Sequence, residues 1–514
     1  MLLDGRYHRV VNPYANFKRA TSMMSHSSTF LRYASPNERR TISREDLGFY
    51  HAVVVGAIYE LDKDIDVISA RSFISPLQQC VLRHTYLSVV VNDKHTEQPA
   101  YEAVESVNLE NHITILDNHE VSSEVEAMAI ESALPSLLDR PWPADLPPWR
   151  IVVLPLRSPS AATVTRCLIA FAFSHTLGDG VVGLTFHRTF LQGLREAPDT
   201  NVQGSDSSVV TLPRNRTLPP PFDTPERLPI SWGFLLRPLI AVYLPKFLAN
   251  MLGIRAHAAQ LEAGTWTGSP MFFDQTAPKQ SRVKLLEIEA PLLQSALQAS
   301  RRHDAKLTGL LHQLIVRALS RAIPDDNVTN FISGTAVDMR ASIGTPAYTW
   351  GLFVCGHFEG HPRAAADATQ PELSEEMWAR ASAMTKKLAE CGAKLQDQAV
   401  GLLRYAPSIR NWTLAKLGQR RDCSYEVSNL LAFDGSGDET SPKHSKISKM
   451  VFVQPGNATS GAIVFNFVSV RGGSLVCAVS WQAGALGVPV AEEMEFVEGV
   501  CASIRADLEV LKER

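Results

Sequence analysis

The 514-residue chain is short of nearly everything that would place it in a specialised class. It lacks an excess of charge: a net charge of −3 leaves no broad basic surface, so no nucleic-acid partner is expected. It lacks paired cysteines: the seven, at 80, 167, 355, 391, 423, 477 and 501, are scattered and odd in number, with no Cys-x-x-Cys. That pattern reads as reduced thiols, neither a disulfide framework nor a zinc site. The opening MLLDGRYHRVV has no apolar core long enough for a signal peptide. The Asn-x-Thr sequons at Asn215, Asn327, Asn411 and Asn457 are therefore expected to be unused, and the protein cytoplasmic. A Gly-x-Ser-x-Gly turn is missing too, which argues against a hydrolase built on a serine nucleophile.

What is present is an ordinary globular composition, 45% hydrophobic and 20% charged. The length exceeds one core and suggests two domains of about 200–250 residues each. Residues 1–40, rich in Arg and Ser and poor in acids, are expected to be a flexible leader, a composition shared with transit peptides. The N-terminal lobe is placed at 41–197, a Pro-rich linker and apolar crossover at 198–275, and the C-terminal lobe at 276–514. Within the linker, 196–229 turns to Asp, Ser, Asn, Arg and repeated Pro and reads as a surface loop. Residues 231–254 are the most apolar run, but Arg237, Pro238, Pro245 and Lys246 interrupt it. A broken helical crossover is expected there, with peripheral contact to a membrane or lipid droplet as the alternative; a transmembrane span is not.

The most informative stretch is Arg166–Gly183, RCLIAFAFSHTLGDGVVG. Its first half is a continuous apolar run, as in a strand buried on both faces, and it stops at Ser174. His175, Asp179 and Gly180 follow as His-x-x-x-Asp-Gly, and VVGLTFHRTFLQGLRE then shows helical spacing. His175 thus stands on a turn at the mouth of a strand, where a rigid scaffold presents a side chain to a ligand. With an ordinary pKa of about 6.5, a His is largely neutral at cellular pH and can serve as a base. In a chain with fifteen His a bare His-x-x-x-Asp arises by accident, so the buried strand and the small residues of the turn are what give this one weight. A metal site on His175 and Asp179 lacks a recognisable third ligand.

Strands and helices alternate along both halves, which points to an α/β layer structure. Strand candidates are FYHAVVVGAIYEL, IVVLPL, SRVKLLEIEA, FISGTAVDM, GLFVCGHFEG, YEVSNLLAFD and KISKMVFVQP. The pair AIVFNFVSV and SLVCAVSWQ, joined by the hairpin turn Arg471-Gly-Gly, is expected to complete one sheet with the two preceding strands. Helices are expected over 68–91, with Phe73, Leu77, Val81 and Leu82 on one face, and near 371–391 and 398–418; AEEMEFVEGVCASIRADLEVLKE closes the chain as another.

The motif resembles the active-site signature of the CoA-dependent acyltransferase superfamily, and the chain as a whole is similar to the fungal and yeast alcohol O-acetyltransferases. LGFYHAVVVGAIYE, PPWRIVVLP, KLTGLLHQLIVRALS, VDMR, YEVSNLLAF and GGSLVCAVSWQ match in order, over most of the chain from about Ser35. The resemblance implies a two-lobed, chloramphenicol acetyltransferase-like α/β fold with a channel between lobes. It implies His175 as general base, acetyl-CoA as co-substrate with no permanently bound cofactor, a small or secondary-metabolite alcohol as acceptor, and a monomer. In the superfamily the motif aspartate turns away from the channel and pairs with an arginine, so Asp179 is expected to meet Arg340. Ser428 and Asn429 occupy the place of residues that position the oxyanion or the substrate. Trp149 and Arg150 match a motif of structural character. Two departures matter: Ser174 stands where condensation domains carry a second His, and the plant enzymes' Asp-Phe-Gly-Trp-Gly loop is absent. Both favour alcohol acetyl transfer over condensation with a carrier-bound acyl donor and over plant-type enzymes, and the presence of His175, Asp179, Gly180 and Arg340 together argues against the other alternative, a ligand-binding relative without catalysis.

Overall fold

In the computed structural model, which describes residues 29–117, 119–120, 123–157, 165–196, 207–236, 261–277, 280–364, 372–435 and 444–513, the apolar run becomes the middle strand of a mixed sheet. The strand order is Lys446–Val453, Val53–Glu60, Arg166–Phe173, Trp149–Arg157 and Ile113–Ile115, with His119–Glu120 also pairing to Trp149–Arg157. Both faces of this sheet are covered, which is why the strands read as unbroken apolar runs. On one face Val55, Tyr59, Ile169, Phe171 and Phe173 pack under the helices Ile74–Arg83 and Gly180–Arg195. Phe171 stacks on Phe186 of the second of these, ring centroids 3.9 Å apart. Burying one such side chain is worth roughly 1.5–3 kcal/mol, enough to pin the helix behind the turn. On the other face Val54, Leu168, Ala170 and Ala172 meet the helix Ser123–Leu138 through Ile130 and Leu134.

The second sheet runs Ser281–Ile288, Leu475–Gln482, Ile463–Val470, Tyr425–Phe433, Asn330–Asp338 and Val354–Pro362. Helices Ala290–Arg302, Leu307–Ala322, Glu375–Ala393 and Glu493–Val510 cover one face over a core that includes Leu310, Leu314, Phe465 and Trp481. From its other face Val283, Val476 and Ala478 enter the same core as Leu168 and Val451 of the first sheet. The two sheets are thus joined by packing, and the α/β architecture expected from the sequence is the one observed.

Several expectations are corrected. Lys446–Val453 does not complete the second sheet; it pairs antiparallel with Val53–Glu60, in the first. Alternation along a strand says which face is buried and nothing about the partner, which here is set from outside: the Asp62 carboxylate accepts from Ser445 N at 3.0 Å and from its hydroxyl at 2.7 Å. Residues 29–40, placed in a flexible leader, form the strand Thr29–Tyr33, paired with Ala100–Ala103, and the start of the helix Pro36–Asp46. A capping box of Ser35 and Glu38 with Pro36 at the first position starts that helix. The helix over 68–91 is shorter than its apolar pattern: Ile74–Arg83 is α-helical, and Val89–Asn92 is a strand. Pro76 sits in its first turn, where no amide is needed. Phe73, Leu77 and Val81 are buried, whereas Leu82 is 54% exposed, one residue round the helix. The helix expected at 398–418 is broken by Pro407 into a 3-10 stretch, Ala399–Tyr405, and the short helix Ile409–Leu414. In the Pro-rich segment, Val209–Thr211 pairs with Ser106–Asn108, and Phe222 and Leu228 are buried beside Met339, Phe353 and Cys355. A few apolar anchors fix a stretch whose composition reads as loop. Of 231–254, residues 237–254 lie outside the described residues. Among the described residues no helix is long and apolar enough to cross a membrane.

Candidate active site

The buried strand Arg166–Phe173 ends at Ser174, whose hydroxyl receives Thr176 N at 3.1 Å and starts a 3-10 turn, His175–Leu177. Ser174 also donates to Glu45, which ties the turn to the helix Pro36–Asp46. His175 Nδ1 lies 2.7 Å from Gly178 O. A carbonyl only accepts, so Nδ1 carries the hydrogen and Nε2 is left with a free lone pair. The ring is half-buried, with the Tyr50 ring centroid 5.4 Å away. Burial, followed by the positive charges of Arg40 and Arg44, pushes the His175 pKa down to about 4, against the opposing pull of Gly178 O. At neutral pH the imidazole is therefore uncharged, and its basic nitrogen has no partner among the described residues.

The carbonyl that orients His175 belongs to Gly178, at φ +149°. A Cβ there would lie 2.5 Å from Val182 Cγ2 and 2.8 Å from Gly351 O, so both backbone and space require glycine. Gly180 opens the following helix; a Cβ on it would meet Leu430 Cδ2 at 2.8 Å. The turn and the strand Tyr425–Phe433 are in contact at that point.

Asp179 is turned away from His175. It caps the helix by accepting Val181 N at 3.1 Å, takes Phe353 N on its second oxygen at 2.8 Å, and receives Arg340 Nη2 at 2.9 Å. Arg340 is 1% exposed and Asp179 2%. The guanidinium also donates to Asp338 at 2.9 Å, Thr349 O at 3.0 Å and Gly351 O at 3.2 Å, and lies over the Phe353 ring. Burial works against its charge, but Asp179 and Asp338 outweigh it and its pKa is raised. This pair couples the motif turn to the 338–353 loop, 161 residues away in the chain.

Ser428 and Asn429 point to opposite faces of their strand. Asn429 donates to Thr308 Oγ1 at 3.1 Å and accepts Leu431 N at 2.8 Å, at a bulge where Leu431 adopts φ +64°. Its polar group is spent on the helix Leu307–Ala322 and on the strand's own irregularity. Ser428 shares the face of Leu430, the residue against Gly180, and its hydroxyl has no hydrogen-bond partner among the described residues. Trp149 is 1% exposed, stacked on His112 and bonded to Leu87 O; Arg150 lies over Trp142. Both are packing residues.

Residues not singled out in the sequence also surround His175. Arg40 and Arg44 sit four apart on the helix Pro36–Asp46, so they share a face. Arg44 lies over the Tyr50 ring, 4.7 Å from its centroid, and donates to Asn457 Oδ1 at 2.5 Å. Asn457 donates in turn to Glu426 at 3.2 Å, and Tyr50 donates to Gln454 at 2.8 Å. The capping box and the i, i+4 spacing were visible in SPNERRTISRED; the direction of the face was not. Among the described residues no three His, Cys, Asp or Glu side chains stand close enough to hold a metal ion.

Solved structures of the same shape include an acetyltransferase and a condensation domain. The trichothecene 15-O-acetyltransferase TRI3 of Fusarium sporotrichioides aligns with a TM-score of 0.63 at 11% identity, over 93% of this chain and 98% of that one. The condensation domain of the Monacolin K polyketide synthase MokA aligns with a TM-score of 0.55 at 11% identity, over 93% and 97%. The fold is therefore the two-lobed one of CoA-dependent acyltransferases and condensation domains. Within that class, residues 41–498 match the alcohol acetyltransferase family model, and the chain belongs to that family. Among curated proteins it is similar to a probable alcohol acetyltransferase, FCK4, of Fusarium pseudograminearum, 25% identical over 86% of each chain. A second, crmB of Aspergillus fumigatus, is 20% identical over 86% of this chain and 92% of its own. The protein is an O-acetyltransferase, with acetyl-CoA as co-substrate and an alcohol as acceptor.

Proposed function

We propose that His175 is the general base of a direct acetyl transfer. A hydroxyl does not ionise at neutral pH and needs a base in contact as it attacks. The supporting observation is the His175 Nδ1–Gly178 O hydrogen bond, which leaves Nε2 free to take the alcohol proton and return it to the departing CoA thiolate. The alcohol oxygen adds to the thioester carbonyl, the tetrahedral intermediate collapses, and the C–S bond breaks; no acyl-enzyme forms. Ser428 is the donor we assign to the oxyanion, on the strength of its unpaired hydroxyl on the face toward the motif. Asp179, Gly180 and Arg340 shape the turn without touching substrate.

Thiol release from acetyl-CoA with a mixed panel of alcohols tests this reading. Release should require an alcohol, and its pH dependence should carry the signature of the low-pKa imidazole. The base form predominates above a pKa of about 4, so the rate should stay level from pH 8 down to pH 6 and fall only as pH approaches that value. An acid limb centred near 6.5 would show an ordinary solvated His in its place.

Peripheral lipid contact through 231–254 is the reading of its apolar sequence, supported by Trp232, which is 76% exposed at the start of that segment. The full chain should float with phosphatidylcholine vesicles, and Trp232→Glu should reduce the floated fraction. A protein that stays wholly at the bottom of the gradient sinks the idea.

A further inference from the structure

Arg40, beside His175, has a guanidinium whose bonding is incomplete. Its Nε donates to Asn37 Oδ1 at 3.1 Å, and neither terminal amino group has an acceptor among the described residues. Arg44, one turn on, is held by Asn457 and Tyr50, yet its buried Nε is also unpaired. No carboxylate of the described residues forms an ion pair with either. The nearby acids are engaged elsewhere. Glu426 takes Asn457 Nδ2, Ser460 Oγ and Gly461 N, and Asp223 takes Asn37 N at 2.8 Å. Burial, then the charge of Arg44, lowers the Arg40 pKa to about 10, which still leaves a cation at neutral pH. The half-buried Arg40 guanidinium thus keeps both ends of its fork open, and a carboxylate fits that fork with two parallel hydrogen bonds.

Resting on the acetyl-transfer reading of His175, the geometry points to a carboxylate-binding subsite at Arg40, so that one of the two substrates carries a carboxylate close to its reacting carbon or hydroxyl. The phosphates of CoA do not satisfy Arg40. The thioester must lie at His175, and the whole pantetheine arm separates it from them. Acetyl-CoA has no carboxylate on its acyl group, so the anion belongs to the acceptor, a hydroxy acid whose esterified hydroxyl is chosen by its distance from Arg40.

The test uses the full chain and matched pairs of acceptors, a small hydroxy acid and its methyl ester, with acetyl-CoA and thiol release. The acid should be preferred in kcat/KM by on the order of 10- to 100-fold, carried by KM, the range of a hydrogen bond to a charged group. Arg40→Gln should bring the acid-to-ester ratio toward one. Arg40→Lys, which keeps the charge and loses the fork, should retain part of it. A second arm compares malonyl-CoA with acetyl-CoA on neutral alcohols; an Arg40-dependent preference for malonyl-CoA there overturns the assignment to the acceptor. Equal use of both members in both arms, or an Arg40→Gln loss that strikes acid and ester alike through kcat, overturns the subsite while acetyl transfer stands. A folded protein silent with every acyl-CoA contradicts acetyl transfer itself. The subsite is then read by thermal shift: the hydroxy acids, and not their esters, must raise the wild-type Tm and fail to do so in Arg40→Gln, and the absence of such a shift overturns it.

Discussion

His175→Ala is expected to lower kcat by about 10²- to 10⁴-fold, the range for loss of a positioned general base, while KM for acetyl-CoA and the unfolding midpoint change little. The asymmetry follows from how the ring is held. Its ring bonds to Gly178 O alone among the described residues, in a half-buried turn, and the imidazole is neutral. Truncation leaves one carbonyl to find water and strands no charge. The neighbours that shape the turn are untouched: Ser174 with Glu45, Trp350 Nε1 donating to Leu177 O, and Asp179 with Arg340. Thiol release under saturating acetyl-CoA and a urea titration on the same preparation measure the two quantities. A variant within tenfold of the wild type would remove His175 from the proton transfer. One that is inactive because it has unfolded would show instead that the turn depends on the ring.

How far the sequence could be read varied with what each feature depends on. The run CLIAFAF was legible as a strand because burial on both faces removes polar residues from it, and the structure covers both faces. The turn after it was legible because His, Gly, Asp and Gly in that order restrict the backbone, and Gly178 at φ +149° is where the restriction acts. The place of Lys446–Val453 was not legible: its alternation is the same whichever sheet it joins, and what decides is Asp62, more than 380 residues away. The cationic face of Arg40 and Arg44 was hidden for a related reason. A helix of mixed polarity looks solvated until its neighbours are known, and those are the turn His175–Leu177 and the helical segments Ala399–Tyr405 and Ile409–Leu414, all distant in the chain. Asn429 shows the reverse limit: a polar residue in the matching position turned to the other side, because a strand reverses its faces at every residue and only the bulge at Leu431 shows the local register.

Arg340→Ala is expected to cost about 3–5 kcal/mol of stability, the penalty for leaving a buried carboxylate without its cation. Asp179 and Arg340 are almost wholly buried, and the Asp179 oxygens are held by Arg340, Val181 N and Phe353 N, all donors. With Arg340 gone, two amides alone face a full negative charge, Thr349 O loses its donor, and Gly351 O keeps only Asp179 N–H. Asp179→Asn should fare no better. Whichever way the amide is turned, its NH₂ points at a donor, either Phe353 N–H or the pair Arg340 and Val181 N–H, and the guanidinium keeps one carboxylate among the described residues, Asp338, which is itself half in solvent. Both variants should therefore unfold at lower urea and lose activity through a displaced turn, and the acid limb of the remaining pH–rate profile should stay where it is, because neither residue touches the imidazole. A stable Asp179→Asn enzyme whose acid limb has moved would mean the opposite: that the carboxylate reaches His175 through its field, and that the pair tunes the base as well as holding the loop.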